Sequence, residues 1–203
     1  LATLLSLISL SAVALPERVG DFALLDTDGK FHQLSRYRNK EAMVLMSYDS
    51  SCMAIDSALT SIKSLQMDWE AQGFVFALID SSPMTETAAL RAIKQTANLP
   101  FPLFIDDGQL VSESLGFTKA GEIAVLDPER LSLVYRGGFS PELALSLASE
   151  ISGGADETIV AVAGGCEINY PVREQHTSTA PDYSSDVAPI IAEQCAACHR
   201  EGG

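Results

Sequence analysis

Two apolar runs, AMVLMSY (Ala42 to Tyr48) and FVFALID (Phe74 to Asp80), flank a stretch with a different rhythm. Each run is continuous rather than alternating, which suits a strand covered on both faces. Between them Ile55, Leu59, Ile62, Leu65 and Trp69 recur at three- and four-residue steps. That spacing predicts a helix from Met53 to Gln72 with one buried face, stopped by Gly73. A strand, a helix and a strand in this order make a crossover unit, and the chain must then build a sheet with helices layered on it.

The flanking segments extend the same plan. FALLDTDGKFHQL, within Asp21 to Leu34, alternates around a Thr-Asp-Gly-Lys turn and predicts an N-terminal β-hairpin. Thr85 to Ala97 is predicted helical, Pro102 to Asp106 a short strand, and VSESLGF a helical turn. Glu122 to Asp127 and Leu131 to Gly137 form a hairpin pair around Asp127-Pro128-Glu129-Arg130. Pro141 marks a helix start, continued by Leu143 to Ile151. The expected class is an α/β sandwich with a mostly parallel sheet. After Ile151 the composition changes: Gly153-Gly154 opens an irregular stretch, and Glu174 to Ser185 is polar and turn-rich, as an interdomain linker is.

A chain of 203 residues accommodates one such domain and an appendage. It carries 13 Lys plus Arg against 27 Asp plus Glu, a net charge of -14. That field repels phosphate backbones and argues against nucleic acid; it suits a solvated surface or the docking of a basic redox partner. The opening run LATLLSLISLSAVA is apolar and uncharged, and Ala12-Val13-Ala14 fits a signal-peptidase site. It is too short to span a bilayer as a helix. Export to a periplasm or similar compartment, with no stable membrane span after signal removal, is the expectation, and disulfides persist there. The expected divisions are a partial signal peptide over 1–14, an α/β domain over 15–152, a cysteine-containing tail and linker over 153–182, and a further domain's start over 183–203.

In that last part Ser185 or Asp186 is placed to cap a helix with Val187, Ile190 and Ile191 on one face. Cys195-Ala196-Ala197-Cys198-His199 follows. Thiols at this spacing can each add to a vinyl group of one porphyrin, and the adjacent imidazole then sits under the iron. A thioredoxin-type dithiol would start a helix rather than end one, and a zinc site would need a second ligand pair. D-V-x-P-I-I-x-x-x-C-x-x-C-H-R resembles the N-terminal helix of a cytochrome c domain over Tyr183 to Gly203. The resemblance implies a truncated all-α cytochrome c domain with haem c held covalently by Cys195 and Cys198 and its iron by His199. Such domains often take a distal Met downstream, whereas Met43, Met46, Met53, Met67 and Met84 all lie upstream. The distal ligand is therefore not expected in this stretch.

Residues from about Val19 to Ile151 resemble the redoxin group, the alkyl hydroperoxide reductase and thiol-specific antioxidant proteins with their thioredoxin-like relatives. The strand AMVLMSY running into Asp49-Ser50-Ser51-Cys52 carries the likeness, together with AGEIAVLDPERLSLVYRGGF. It implies a thioredoxin-like sandwich and places Cys52 as an attacking thiol between a strand end and a helix N-terminus. Backbone N–H groups and the helix dipole there favour thiolate. The chain departs from the group in several places. Ile55 stands where a C-x-x-C pair has its second Cys, Leu45 and Asp49 replace a peroxiredoxin's Pro and Thr, and Ala120-Gly121 replaces the cis-Pro of thioredoxin folds. Ala163-Gly164-Gly165-Cys166-Glu167-Ile168 supplies a G-C-x-I element. It resembles one in exported redoxins and implies a Cys52–Cys166 disulfide.

That pair has two meanings, a reversible redox couple or a static staple, and the sequence leaves both open. His32 is expected to be a half-exposed strand residue, His176 a linker residue without metal partners, and Trp69 a core residue. No Gly-rich phosphate loop, G-x-S-x-G or H-E-x-x-H occurs. The expected function is an exported thiol-redox and electron-transfer protein. Cys52 attacks an oxidised substrate, Cys166 resolves, and electrons exchange with a periplasmic partner through the haem. The alternatives are a non-catalytic, disulfide-stapled redoxin module fronting a larger haem or metal oxidoreductase, and an atypical peroxiredoxin.

Overall fold

The computed structural model describes residues 17–82, 86–139, 158–171, 173 and 179–196, apart from the side chain of Leu65. The segment 1–14 expected as a signal peptide, Met84, the helix expected after Pro141, His176, Cys198 and His199 lie outside the described residues. The chain divides into two units, Leu1–Asn169 and Tyr170–Gly203.

In the first unit the strands are β1 (Glu17–Arg18), β2 (Ala23–Asp26), β3 (Phe31–Gln33), β4 (Ala42–Tyr48), β5 (Phe74–Asp80), β6 (Leu103–Ile105), β7 (Ile123–Asp127), β8 (Ser132–Gly137) and β9 (Ile159–Val160). They form one sheet in the order β1-β8-β7-β4-β5-β6-β2-β3, with β9 also on β8. The helices are α1 (Asp56–Glu70), α2 (Thr87–Thr96) and α3 (Leu110–Ser114).

The continuous apolar strands are explained by burial on both sides. Ala42, Val44, Met46 and Tyr48 of β4 enter one core with Ile55, Leu59, Ile62 and Trp69 from the α1 side and Leu90 of α2. Met43 and Leu45 face the opposite way, into a second core with Leu34, Phe104, Val111 and Leu115. Side chains alternating across a strand fill both layers from one short run. Trp69 is buried and tilts against Phe74 at 4.7 Å between ring centroids, as a core residue.

The sheet is mixed rather than mostly parallel. β4, β5 and β6 run parallel, joined through helices, whereas β7 and β8 are antiparallel neighbours. The connection from Asp127 to Ser132 is too short for a crossover, so the chain reverses there. The N-terminal hairpin forms as expected and adds antiparallel to β6. The predicted first helix begins with a tight 3-10 turn, Met53–Ile55, before α1 takes over at Asp56. Within the stretch read from sequence as tail and linker, β9 pairs parallel with β8 and so returns the chain to the sheet.

In the second unit a helical run spans 183–195. Asp182 caps it, its carboxylate accepting from the Ser185 N–H at 2.9 Å, so the cap lies ahead of the Ser185 or Asp186 expected from sequence. Ile190 and Ile191 are exposed.

Candidate redox site

The C-terminal end of β4 delivers the chain into a turn that sets Cys52. Asp49 organises it: its main-chain oxygen accepts from the Cys52 N–H at 3.1 Å, and its carboxylate accepts from the Ser51 N–H and hydroxyl at 2.8 and 2.7 Å. That carboxylate is thus engaged with Ser51. Cys52 is 2% exposed and stands directly before the 3-10 turn that leads into α1.

Beside it lies the loop before β7, fixed by two buried polar side chains. Ser47 of β4 donates its hydroxyl to the Lys119 carbonyl at 2.7 Å, and its own carbonyl accepts from the Gly121 N–H at 2.8 Å. Glu122 accepts from the Thr118 and Lys119 N–H groups at 2.6 and 3.2 Å and from the Thr118 hydroxyl at 2.9 Å. Residues 118–120 are left as a short edge that offers the Ala120 N–H and the Thr118 carbonyl.

The segment 165–169 is seated on that edge. The Ala120 N–H donates to the Cys166 carbonyl at 2.8 Å and the Ile168 N–H donates to the Thr118 carbonyl at 2.9 Å, an antiparallel bridge between Lys119 and Glu167. Ala120 stands where the thioredoxin-fold resemblance expects proline, and a proline would have no N–H to give. Gly165 allows the approach: a Cβ there would lie 1.9 Å from the Ala120 oxygen, at φ +128°. Ile168 packs on the second core. Gln109 anchors the far end, donating from Nε2 to the Ser81 carbonyl at 2.6 Å and the Asn169 carbonyl at 2.9 Å.

Cys52 and Cys166, brought together across 114 residues, form a disulfide with Cα atoms 5.8 Å apart. The Cys166 N–H also points at the Cys52 Sγ, 3.1 Å away. The two ends differ in access, since Cys52 is buried and Cys166 is exposed. Cys166 is therefore the end of the bond nearer solvent.

Carboxyl groups gather near the same end of the sheet. Burial pushes Asp80 up to about 6, against the hydrogen bonds from Ser82 and with Asp49 and Asp106 adding to the rise. Asp106 is also raised by burial, and the Val111 and Ser112 N–H groups that its carboxylate accepts oppose the shift. Burial raises the Tyr48 phenol, helped by Asp56, Asp49 and Asp80.

The expected site residues are thus distributed. Cys52 and Cys166 meet, while Cys195 is an exposed thiol outside any disulfide in the second unit. Among the described residues no cluster of His, Cys, Asp or Glu is arranged to hold a metal. His32 is not half-exposed: it is 5% exposed, bonded through Nε2 to Asp26 at 2.8 Å and through Nδ1 to the Tyr37 hydroxyl. The hairpin folds it onto Phe104, at 4.7 Å between centroids, which covers the ring. Ser47, Gln109 and Glu122 were not singled out by sequence, whereas Ala120 was, as the residue standing in place of the thioredoxin-fold proline. Their roles rest on contacts between elements, and only the Thr118-to-Glu122 spacing carried a local signal.

The AhpC/TSA family profile matches residues 16–136. No functionally curated protein matches the sequence. Among solved structures, an uncharacterized conserved protein from Geobacillus kaustophilus superposes with a TM-score of 0.67 at 19% identity, over 78% of this chain and 93% of that one. A putative thioredoxin from Neisseria meningitidis gives 0.59 at 15% identity, over 70% and 93%. Peroxidoxin BcpB from Mycobacterium tuberculosis gives 0.51 at 18% identity, over 70% and 99%. These likenesses establish the thioredoxin-like fold. With the family profile covering more than half its length, the chain belongs to the AhpC/TSA family.

Proposed function

We propose that the protein is an exported thiol–disulfide redox protein in which Cys52 and Cys166 cycle between dithiol and disulfide, and which carries a c-type haem at Cys195, Cys198 and His199. The observation that carries the first half is the Cys52–Cys166 bond itself, joining a buried sulfur at a strand-to-helix turn to an exposed cysteine on a pinned segment.

The cycle balances in two half-reactions. A reducing dithiol attacks Cys166 as thiolate, displaces the Cys52 thiolate, and its second thiol then frees Cys166, so that two electrons enter and the donor leaves as a disulfide. In the other half Cys52 attacks a partner's disulfide and expels one partner thiolate. Cys166 then attacks the Cys52 sulfur, expels the second, and restores the starting bond. A partner of basic surface suits the net charge of -14. Among the described residues no helix is long and apolar enough to cross a membrane.

For the second half, the donor set has the chemistry that covalent haem attachment needs, two thiols and an imidazole, and Cys195 is exposed and unbridged at the end of its helical run. Bound haem would supply a one-electron iron couple held by Cys195, Cys198 and His199. Family membership supports a peroxidase as the second reading, with Cys52 attacking peroxide.

The test is turnover of the full chain with a dithiol donor and a protein disulfide acceptor, with hydrogen peroxide as the competing acceptor. Disulfide turnover abolished by Cys52→Ser and by Cys166→Ser is the expected result. Turnover with peroxide alone would transfer the site to the second reading, and none with either acceptor would leave the bond a staple.

A further inference from the structure

The segment 165–169 lies on the 118–120 edge as a bound strand does: two main-chain hydrogen bonds, a disulfide to Cys52, and a carbonyl clamped by Gln109. We propose that this segment is a built-in copy of the partner it is displaced by, and that the edge selects extended partner segments of the form Gly-Cys-Xaa-Ile. The proposal rests on the thiol–disulfide reading above and specifies its substrate.

Each position of the form follows from a contact. The residue before the cysteine must be glycine, because a Cβ at Gly165 would lie 1.9 Å from the Ala120 oxygen and φ is +128°. The cysteine is fixed by its bond to Cys52. The next position is open, since Glu167 is exposed and contributes its backbone to the bridge with Lys119. The fourth is apolar, since Ile168 is half-buried and packs on the second core. The fifth is free in type, because Gln109 binds only the Asn169 carbonyl. Strand addition of this kind takes affinity from the main chain and selectivity from alternate side chains.

The edge has one place, so partner and internal segment exclude each other. With Cys52–Cys166 reduced, the internal segment keeps only its hydrogen bonds and the Ile168 contact, and a partner strand can replace it. Cys52 then attacks the partner's disulfide and expels that cysteine's former mate as thiolate. When Cys166 attacks the Cys52 sulfur, the internal segment regains the edge and the partner leaves reduced. The departure from proline at position 120 is what supplies the edge's N–H donor, to the internal segment and to a partner alike.

The test uses the full chain carrying Cys166→Ser, and a synthetic peptide Ala-Gly-Gly-Cys-Glu-Ile-Asn activated as its mixed disulfide with thionitrobenzoate. Attack by Cys52 releases the coloured thiolate, and mass mapping assigns the adduct to Cys52. Three companion probes are a peptide with Ala before the cysteine, one with Asp for Ile, and a small activated disulfide with no peptide. The parent peptide is expected to react at least ~10-fold faster than either altered peptide, a difference of one tenfold step in transition-state affinity. Equal rates for all peptides, with Cys52 reactive, would overturn the edge's selectivity and leave the thiol–disulfide reading standing. A Cys52 inert to every probe, including the small disulfide, would overturn both.

Discussion

Asp80 ends β5 directly opposite Tyr48, and its burial has a measurable sign. Its pKa in the folded protein is about 6, above the ordinary 3.8, so folding favours the protonated form. The stability it contributes is complete below the unfolded value and is lost as pH rises through the folded one, between about pH 4 and 6. Asp80→Asn, which keeps the shape and never ionises, is expected to be more stable than the parent above pH 6 by up to ~3 kcal/mol. Denaturant melts of both proteins at pH 4 and pH 7 check this, and an equal difference at both would contradict it. Asp26 leans the other way: burial is outweighed by hydrogen bonds from His32 and the Lys30 and Asp28 N–H groups, and its carboxyl lies below the usual range. Gln109 acts through the main chain. Gln109→Ala removes the clamp on Asn169, worth about 1 kcal/mol, and is expected to speed reduction of Cys52–Cys166 by dithiothreitol roughly 5-fold.

At the scale of elements, the segment 165–169 behaves as a strand only because Gly165 lets it approach the loop before β7. Gly165→Ala sets a Cβ against the Ala120 oxygen at a backbone angle alanine resists, so the disulfide should be favoured less. Equilibration against glutathione is expected to move toward the dithiol by ~5-fold or more, the consequence of about 1–3 kcal/mol of strain. An unchanged equilibrium would show that the segment is held by its sulfur alone. The large elements were legible in the sequence because their physics is local. β4, α1 and β5 follow from apolar periodicity; α1 stops at Glu70, two residues short of the expected Gln72, and Gly73 at φ +92° ends the turn that follows it. The likeness to redoxins pointed to Cys52 and Cys166 as partners. The burial of His32 was not legible, since the hairpin's contact with Phe104 depends on β2 joining β6. Nor was the edge at 118–120, which Ser47 and Glu122 build from separate strands.

For the whole molecule, the disulfide closes a loop of 114 residues, and the chain-entropy contribution of such a loop is about 4–5 kcal/mol. Reduction should therefore lower the denaturation midpoint without dispersing the sheet, since Cys52 is one member among many of the first core and the second core contains no cysteine. Loss of native far-ultraviolet dichroism on reduction would contradict that. Expression of the full chain beside cytochrome c maturation machinery should yield a haem-staining band that survives denaturation, and both tail thiols remaining free to alkylate would refute haem attachment. A working Cys52–Cys166 couple is recognised by its reduction potential. Titration against defined glutathione buffers with thiol trapping is expected to place it near -200 mV, within reach of exported dithiol partners. A potential below about -300 mV would make the bond a permanent staple and contradict the proposed function.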